Sequence, residues 1–218
     1  LRTLLGDNQI KYKQFGGNEI FLKDDIDKLQ SSLEKIDDIN KLLEPLFNEK
    51  VFELKKNKFN FRNTLKEVIF NKFEGQIDTG EMMDALLNKV YKSNIKIINN
   101  VSVESYEDIG SSVNVCTNQF SISCNKLFIA TNGFSESIIQ EKVVPARAQV
   151  LITKPIKNLK VIGTFHFEQG YYYFRNIDDR ILLGGGRNLD FHTENTKEFG
   201  VTDTIQSKLE QLLTDVIL

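Results

Sequence analysis

The residues of this chain best suited to approach a bound molecule follow a short apolar run near its middle. Residues 127–130 show no alternation of apolar and polar side chains, which predicts a strand buried on both faces. The next residues, 131–133, are small and polar, so the backbone can turn tightly and come close to a ligand. Residues 143–153 predict another strand, with Pro145 near its start, where a missing N–H costs little. We therefore expect a ligand-contacting turn where the chain leaves one sheet and enters another.

Other residue types that support catalysis or metal binding form no recognised set. His166 lies in the alternating run T-F-H-F-E, which is typical of a half-exposed sheet histidine. Cys116 and Cys124 are eight residues apart in a predicted hairpin, a spacing that favours reduced core thiols over a disulfide or a metal site. The glycines at 184–186 end a strand and do not open a helix, unlike a phosphate-binding loop. No catalytic side chain and no metal ligand is predicted.

The composition indicates an ordinary folded protein without a strongly charged surface. The 218 residues can bury a sizeable core, as one large domain or two small ones. A formal charge of −2 and a pI near 5.8 give no field that would attract nucleic acid or a membrane surface. We see no signal peptide or long apolar run, so the cytoplasm is the expected location. The chain opens at Leu1 without methionine and closes inside an apolar helical pattern, which we interpret as an internal piece of a longer protein.

The predicted elements give an α+β fold with an α/β portion. Apolar positions at helical spacing predict helices from about residue 26, after Asp78, and from about residue 203. Asp78 and Glu81 fit a capping box at the start of the second of these helices. Alternating runs predict a hairpin of 10–14 with 20–22, a strand at 95–98, a meander over 101–122 and an antiparallel sheet over 148–184.

Four stretches together resemble the FAD-dependent amine and amino-acid oxidase family, which includes D-amino-acid oxidase, glycine oxidase and sarcosine oxidase. They are G-Q-I-D-T-G-E-M-M-D-A-L-L at 75–87, K-L-F-I-A-T-N-G-F-S at 126–135, V-V-P-A-R-A-Q at 143–149, and G-Y-Y-Y-F-R with R-I-L-L-G-G-G at 170–186. The order and spacing of the four stretches carry the resemblance. The glycine-rich turn that holds the FAD pyrophosphate in this family is not in the sequence.

The resemblance implies a mostly antiparallel substrate-binding domain interleaved with part of an FAD-binding domain. Residues 1–66 and 144–218 are assigned to the substrate domain, and residues 67–143 to the returning part of the FAD domain. The implied cofactor is FAD in the full-length protein, and this piece alone is expected not to retain it, because the pyrophosphate-binding turn is missing. Flavin attachment, electron acceptor and oligomeric state stay open.

The same resemblance implies which residues contact substrate and cofactor. Tyr171 would cover or hydrogen-bond the substrate, and Arg187 would hold a carboxylate through two hydrogen bonds. Arg147 is expected to pair across the two domains as a structural residue, not a catalytic one. The expected cofactor contacts are Val103, Ala130, Thr131, Asn132 and Gly133.

Two classes of function remain open at this stage. The first is an FAD-dependent oxidoreductase that oxidises a C–N bond of an amino acid or amine by hydride transfer to flavin, inactive as this isolated piece. The second is a non-enzymatic binding module or inactive scaffold that uses the exposed face of Tyr171, Tyr173 and Arg175, for example to stack bases. The acidic pI disfavours a module that binds nucleic acid by base stacking. The expected partner is a small amino acid or amine, and neither nucleic acid nor a membrane is expected.

Overall fold

The computed structural model describes residues 1–139 and 141–218, and Gln140, in the segment predicted as FAD domain, lies outside them. Helices and two separate sheets make up the described chain, which confirms the α+β class. The chain divides into two compact units. The first contains Leu1–Leu86, Ala148–Phe191 and Gly200–Leu218, and the second contains Leu87–Arg147 and His192–Phe199. The assignment of substrate and cofactor domains stays a prediction.

The first unit is built on a sheet that is mostly antiparallel, as expected. Only β1 and β8 run parallel among the described strand pairs, and they join the two halves of the sheet. In the described ranges it has seven strands, which in spatial order are β2 (Phe52–Lys56), β3 (Thr64–Asn71), β1 (Gly17–Leu22), β8 (Thr164–Phe167), β9 (Tyr172–Ile177), β10 (Arg180–Gly185) and β7 (Val150–Ile152). The helices of the chain are α1 (Arg2–Leu5), α2 (Ile26–Phe47), α3 (Thr79–Lys92), α4 (Phe191–Glu194) and α5 (Asp203–Leu212).

One face of this sheet forms the main core with α5. Alternate residues of each strand point to this face, because side chains alternate along a strand. Phe165 and Phe174 stack at 4.6 Å between ring centroids, and the loop residues Phe59 and Phe61 contact Phe165 edge-on. The helix contributes apolar side chains at helical spacing, namely Ile205, Leu209 and Leu212. The opposite face of β8, β9 and β10 is therefore not covered by α5.

Helix α2 follows its predicted apolar stripe at its first turns. Leu29 is buried against Phe21 and Ile69 of the sheet, whereas Leu42 is 76% exposed. Pro45 neither ends nor breaks the helix, which continues to Phe47. In the described part of the chain, no helix combines the length and the apolar composition needed to cross a membrane.

Helix α3 begins at the residue that the capping pattern predicts, although only half of the capping box forms. The Asp78 carboxylate accepts the backbone N–H of Gly80 at 3.0 Å and that of Glu81 at 3.1 Å. These bonds, chiefly the one from Glu81, lower the pKa of Asp78. Glu81 does not reach back, because the Asp78 N–H already donates to Ile10 and the Glu81 carboxylate pairs with Lys11 at 2.6 Å.

The predicted hairpin of residues 10–14 with β1 is wrong. Ile10 is fully buried with Leu5 and Ala85, and Lys11 has a left-handed backbone. The segment turns into its own small cluster and makes a single isolated bridge, Lys13 with Gln76. Strand β1 instead pairs with β3 along most of its length and with β8 at residues 17–19.

The second unit contains the predicted meander. Its antiparallel strands are β4 (Val103–Asp108), β5 (Val113–Thr117) and β6 (Ser121–Cys124). Cys116 and Cys124 are free thiols, but the expectation of core burial is wrong, since Cys116 is exposed and Cys124 half-buried. Both lie on strands of a small sheet that has little apolar cover.

The strand predicted at residues 95–98 and the buried strand predicted at 127–130 are not formed. A strand needs a neighbour to complete its hydrogen bonds, and no ladder partner lies beside either segment within 1–139 and 141–218. Phe128 is accordingly 86% exposed, and Ile95 is 55% exposed. These segments are apolar, as the sequence shows, but the prediction that they form strands is wrong.

Candidate functional site

A tight turn before β9 presents Tyr171, the first predicted substrate residue. Glu168, Gln169 and Gly170 all have left-handed backbones, and the Tyr171 N–H donates to the Glu168 carbonyl at 3.1 Å. Tyr171 is 43% exposed. The next residue, Tyr172, is fully buried, and burial raises its pKa to about 12. The alternation that begins at Tyr171 and continues into β9 thus separates a packing tyrosine from an accessible one.

The structure brings Arg187, the second predicted substrate residue, next to Tyr171. Strands β9 and β10 are paired, and the Gly186 N–H donates to the Tyr171 carbonyl at 3.0 Å. Phe191 contacts both side chains: its ring lies 6.5 Å from the Tyr171 ring and 5.1 Å from the Arg187 guanidinium carbon. Two aromatic rings and a guanidinium therefore form one cluster.

Phe191 was not found from the sequence. It follows a short helical turn at Arg187–Leu189 and opens α4, and no periodicity distinguishes it from a packing residue. Only the pairing of β9 with β10 reveals that this position meets Tyr171.

The exposed face of β8 and β9 carries the polar side chains that the sequence predicts there, and it also contacts the segment before α3. Arg175 and Thr164 are cross-strand partners, and the Arg175 guanidinium donates to the Ile77 carbonyl at 2.7 Å. His166 is half-exposed, as predicted, and its Nε2 lies 3.3 Å from a carboxylate oxygen of Glu74. These contacts bring residues 72–78 onto the sheet, which sequence spacing alone does not indicate.

The predicted cofactor contacts lie in the second unit. Val103 begins β4, pairs with Thr117 and is 39% exposed. Asn132 opens a short 3-10 helix, Asn132–Ser137, in a left-handed conformation, and its carbonyl accepts the Ser135 hydroxyl at 2.7 Å. Gly133 packs so closely on Pro145 that an added Cβ would lie 2.9 Å from the proline ring. Val103 is thus held by strand pairing, whereas Asn132 and Gly133 are held by a turn that packs on Pro145.

The stretch at 130–133 fits a close approach by a flat cofactor. Ala130, Thr131 and Asn132 are exposed and carry small side chains, so a ligand can reach their backbone. The 3-10 turn that follows is stabilised by the Phe134 N–H, which donates to the Thr131 carbonyl at 2.9 Å. These residues are compatible with the cofactor role that the resemblance implies.

Arg147 forms the most buried ion pair of the described residues. Its guanidinium donates two hydrogen bonds to the Glu194 carboxylate, at 2.8 and 3.0 Å, and its backbone N–H donates to the Glu194 carbonyl. The Glu194 side chain is 1% exposed. Both residues belong to the second unit, so the pair is internal to that unit.

We expect Glu194→Ala to lower the free energy of unfolding by about 3 kcal/mol, because it leaves the guanidinium of a largely desolvated pair without its carboxylate. Urea unfolding followed by circular dichroism measures the change. Glu198→Ala removes an exposed carboxylate four residues away and should stay within about 0.5 kcal/mol of the parent. Equal effects of the two substitutions would show that the pair is not stabilising.

Comparison with known proteins places the chain in a family. The family described as DAO, FAD dependent oxidoreductase, matches residues 2–217. The chain therefore belongs to the DAO family of FAD-dependent oxidoreductases, as the motifs predicted. The cofactor of this family is FAD. A comparison with curated protein sequences gave no significant match.

Several solved structures share the fold at low sequence identity. L-proline dehydrogenase from P. horikoshii superposes with a TM-score of 0.79 at 18% identity, over 99% of this chain and 59% of that one. Glycine oxidase from Bacillus cereus ATCC 14579 gives 0.77 at 14% identity, over 98% and 60%. An L-amino acid deaminase from Proteus vulgaris that lacks its specific insertion sequence gives 0.66 at 15% identity, over 99% and 56%. The chain thus spans less than two thirds of the length of these structures.

Proposed function

We propose that the full-length protein oxidises the C–N bond of an amino acid, or of a related amine, and passes a hydride to FAD. The observation that carries this proposal is the cluster of Tyr171, Phe191 and Arg187 at the ends of two paired strands. It combines two aromatic walls with a guanidinium, the groups suited to an apolar substrate body and a carboxylate. The names of the similar solved structures, which include a proline dehydrogenase and a glycine oxidase, support the same substrate class.

In this proposal each residue of the cluster has one task. Arg187 holds the substrate carboxylate through two parallel N–H···O bonds, which fix both its position and its orientation. Tyr171 donates its hydroxyl to the bound substrate or covers it. Phe191 keeps water away from the guanidinium, which strengthens the charge-assisted hydrogen bonds. An amine without a carboxylate would use only the aromatic part of the cluster.

The cofactor would be held by the second unit. Val103 would contact its adenine end through the backbone, and Ala130, Thr131, Asn132 and Gly133 would pass close to the rest of it. When bound, FAD supplies the acceptor for the hydride that leaves the substrate carbon. The nitrogen lone pair then forms the C=N bond of an iminium ion, so the substrate loses two electrons, and an N–H proton released to water leaves the neutral imine.

The domain assignment that the resemblance implies agrees with these roles. Residues 1–66 and 144–218 would form the substrate-binding domain, and residues 67–143 the returning part of an interleaved FAD domain. The cluster that carries the proposal falls in the first group and the cofactor residues in the second. This arrangement stays a proposal.

The test is the absorbance spectrum of the full-length protein before and after anaerobic addition of single amino acids and amines. We expect a flavin spectrum that bleaches with at least one amino acid, because hydride transfer reduces the flavin. Bleaching by an amine alone would reverse the proposed preference for a carboxylate. A colourless protein that takes up no added FAD would contradict the proposal and favour the binding-module or scaffold alternative.

The 218-residue chain alone is expected to bind no stable FAD and to be inactive, because it lacks the glycine-rich turn that grips the pyrophosphate in this family. Gel filtration with added FAD checks this. Stoichiometric co-elution of a flavin absorbance band would contradict the expectation.

A further inference from the structure

The connection between β3 and α3, residues 72–78, is fixed to the polar face of the sheet at two points. The Ile77 carbonyl accepts a hydrogen bond from the Arg175 guanidinium at 2.7 Å. Glu74 accepts the Thr164 hydroxyl at 3.1 Å, and the same carboxylate oxygen lies 3.3 Å from His166 Nε2. Because Thr164 and Arg175 are register partners on β8 and β9, the two fixed points are neighbours on one face.

The backbone beside Glu74 is shaped for this contact. A Cβ at Gly17 would lie 2.0 Å from the Glu74 carboxylate, so a larger residue there would push the carboxylate away. The other Glu74 oxygen lies 3.4 Å from the Asn71 side-chain amide. The carboxylate is therefore held in one place by strand β1, strand β8 and the end of β3.

His166 stands between two acidic groups. Glu74 contacts it from the connection, and Glu19 is its register partner on β1. On β9 its cross-strand partner is Tyr173, which is uncharged at neutral pH. The hydrogen bond to Glu74 raises the pKa of His166 most, the charges of Glu74 and Glu19 raise it further, and burial opposes them. The bond to His166 in turn lowers the pKa of Glu74.

We propose that protonated His166 and Glu74 form a positioning pair that holds residues 72–78 against the face of the sheet that carries Tyr173 and Arg175. The pair acts through the connection and not through contact with the reacting atoms. Because Tyr171 precedes β9 on the same exposed face as Tyr173 and Arg175, the pair would also affect substrate binding; that effect rests on the function proposed above, whereas its role in holding the connection does not. When His166 loses its proton, the carboxylates of Glu74 and Glu19 face each other without a cation between them, and the connection loosens.

The pH range of this contribution follows from the directions of the shifts. The pKa of His166 is raised from 6.5, so its contribution to stability is complete below pH 6.5 and is lost as the pH rises through the folded value. The pKa of Glu74 is lowered from 4.5, so its contribution is complete above pH 4.5 and is lost as the pH falls through the folded value. Burial raises the pKa of Glu19 from 4.5, so its ionisation works against folding as the pH rises. The pair therefore holds the connection best between pH 4.5 and 6.5.

The first test is a proton NMR titration of His166 in the 218-residue chain. His192→Gln removes the other histidine and assigns the signal. We expect the His166 midpoint to lie above 6.5, to fall in Glu74→Gln, and to fall less in Glu19→Gln. Glu53→Gln, at an exposed position of β2, is the control that should leave the midpoint unchanged. A midpoint that is the same with and without the Glu74 carboxylate would overturn the proposal.

The second test measures the connection itself by amide hydrogen exchange at Gln76, whose N–H donates to the Lys13 carbonyl at 2.9 Å. Beyond the intrinsic rise with pH, exchange should speed up in the parent chain as His166 deprotonates. In Glu74→Gln it should be fast at low pH as well, with no such step. If the exchange rate of the Gln76 amide shows no step at the pH where His166 titrates, the proposal is contradicted. This holds even if Glu74→Gln shifts the His166 midpoint.

Kinetics of the full-length protein separate this proposal from the proposed function. If the protein is an oxidase and the pair positions the substrate face, Glu74→Gln should raise KM and remove a pH step in KM while kcat changes less. A protein that bleaches with amino acids but shows no such step refutes the positioning role alone. A protein without flavin activity refutes the proposed function. The NMR and exchange results then decide by themselves whether the pair of His166 and Glu74 holds residues 72–78.

Discussion

Arg187→Met in the full-length protein is expected to raise KM for a carboxylate-bearing substrate about 100-fold. Two charge-assisted hydrogen bonds contribute roughly 3 kcal/mol together, and each 1.4 kcal/mol corresponds to about tenfold in affinity. Methionine keeps an unbranched apolar side chain but removes the cation and the guanidinium contact with Phe191. Because Arg187 would grip the carboxylate equally in the ground and transition states, kcat should change much less. Steady-state kinetics with the amino acid identified by bleaching measure both constants.

Two controls make this prediction specific to the carboxylate. The amine that corresponds to the substrate without its carboxylate should react equally well with the parent and with Arg187→Met. Arg62→Met removes an exposed guanidinium that donates to the Thr214 carbonyl, and it should leave KM unchanged. If Arg187→Met impaired the amine as much as the amino acid, Arg187 would support the fold and not the carboxylate.

Gly185→Ala is expected to lower the free energy of unfolding by about 3–5 kcal/mol and to displace Tyr171. The added Cβ would lie 2.0 Å from the Tyr171 carbonyl oxygen and 2.8 Å from the Tyr172 Cα, both of which are backbone atoms. The residue also has a φ of +122°, which side chains rarely tolerate. Backbone strain and overpacking each cost about 1–3 kcal/mol. Urea unfolding gives the stability change, and the fluorescence or NMR signals of the tyrosines report the displacement.

Gly170→Ala is the matched control for this substitution. Gly170 lies in the turn before Tyr171 with a φ of +82°, but an added Cβ would meet no atom within 4 Å. It should therefore cost only the strain of a left-handed residue, about 1–2 kcal/mol. A similar loss in both variants would mean that the close approach of β10 to the Tyr171 carbonyl is not important.

Much of the fold could be predicted because it depends on local patterns. Alternation in β9 separated Tyr172, which is buried, from Tyr173, which is exposed. The meander β4–β6, the strands of the larger sheet after residue 148 and the start of α3 at Asp78 are likewise local features. Each rests on side-chain periodicity or a capping residue, which neighbours in sequence decide.

Pairing between distant segments could not be predicted in the same way. Residues 127–130 have the composition of a buried strand, yet the described chain provides no strand beside them, and they stay irregular. Ile10 fits a strand pattern but packs with Ala85 of α3 instead. In both cases the apolar side chains were read correctly; the partner of Ile10 lies far away in sequence, and residues 127–130 have no strand partner in the described chain.

The candidate site divides in the same way. The sequence by itself, through its motifs, singled out Tyr171 and Arg187 and the small residues 130–133, and the family match supports the cofactor class. Only the tertiary structure joined Tyr171 to Arg187 through Phe191, paired Arg147 with Glu194, and placed Glu74 beside His166, 92 residues further along the chain. The physical reason is that a side chain's chemistry is a property of one residue, whereas its partner, burial and charge state depend on strand pairing and loop placement between residues far apart in sequence.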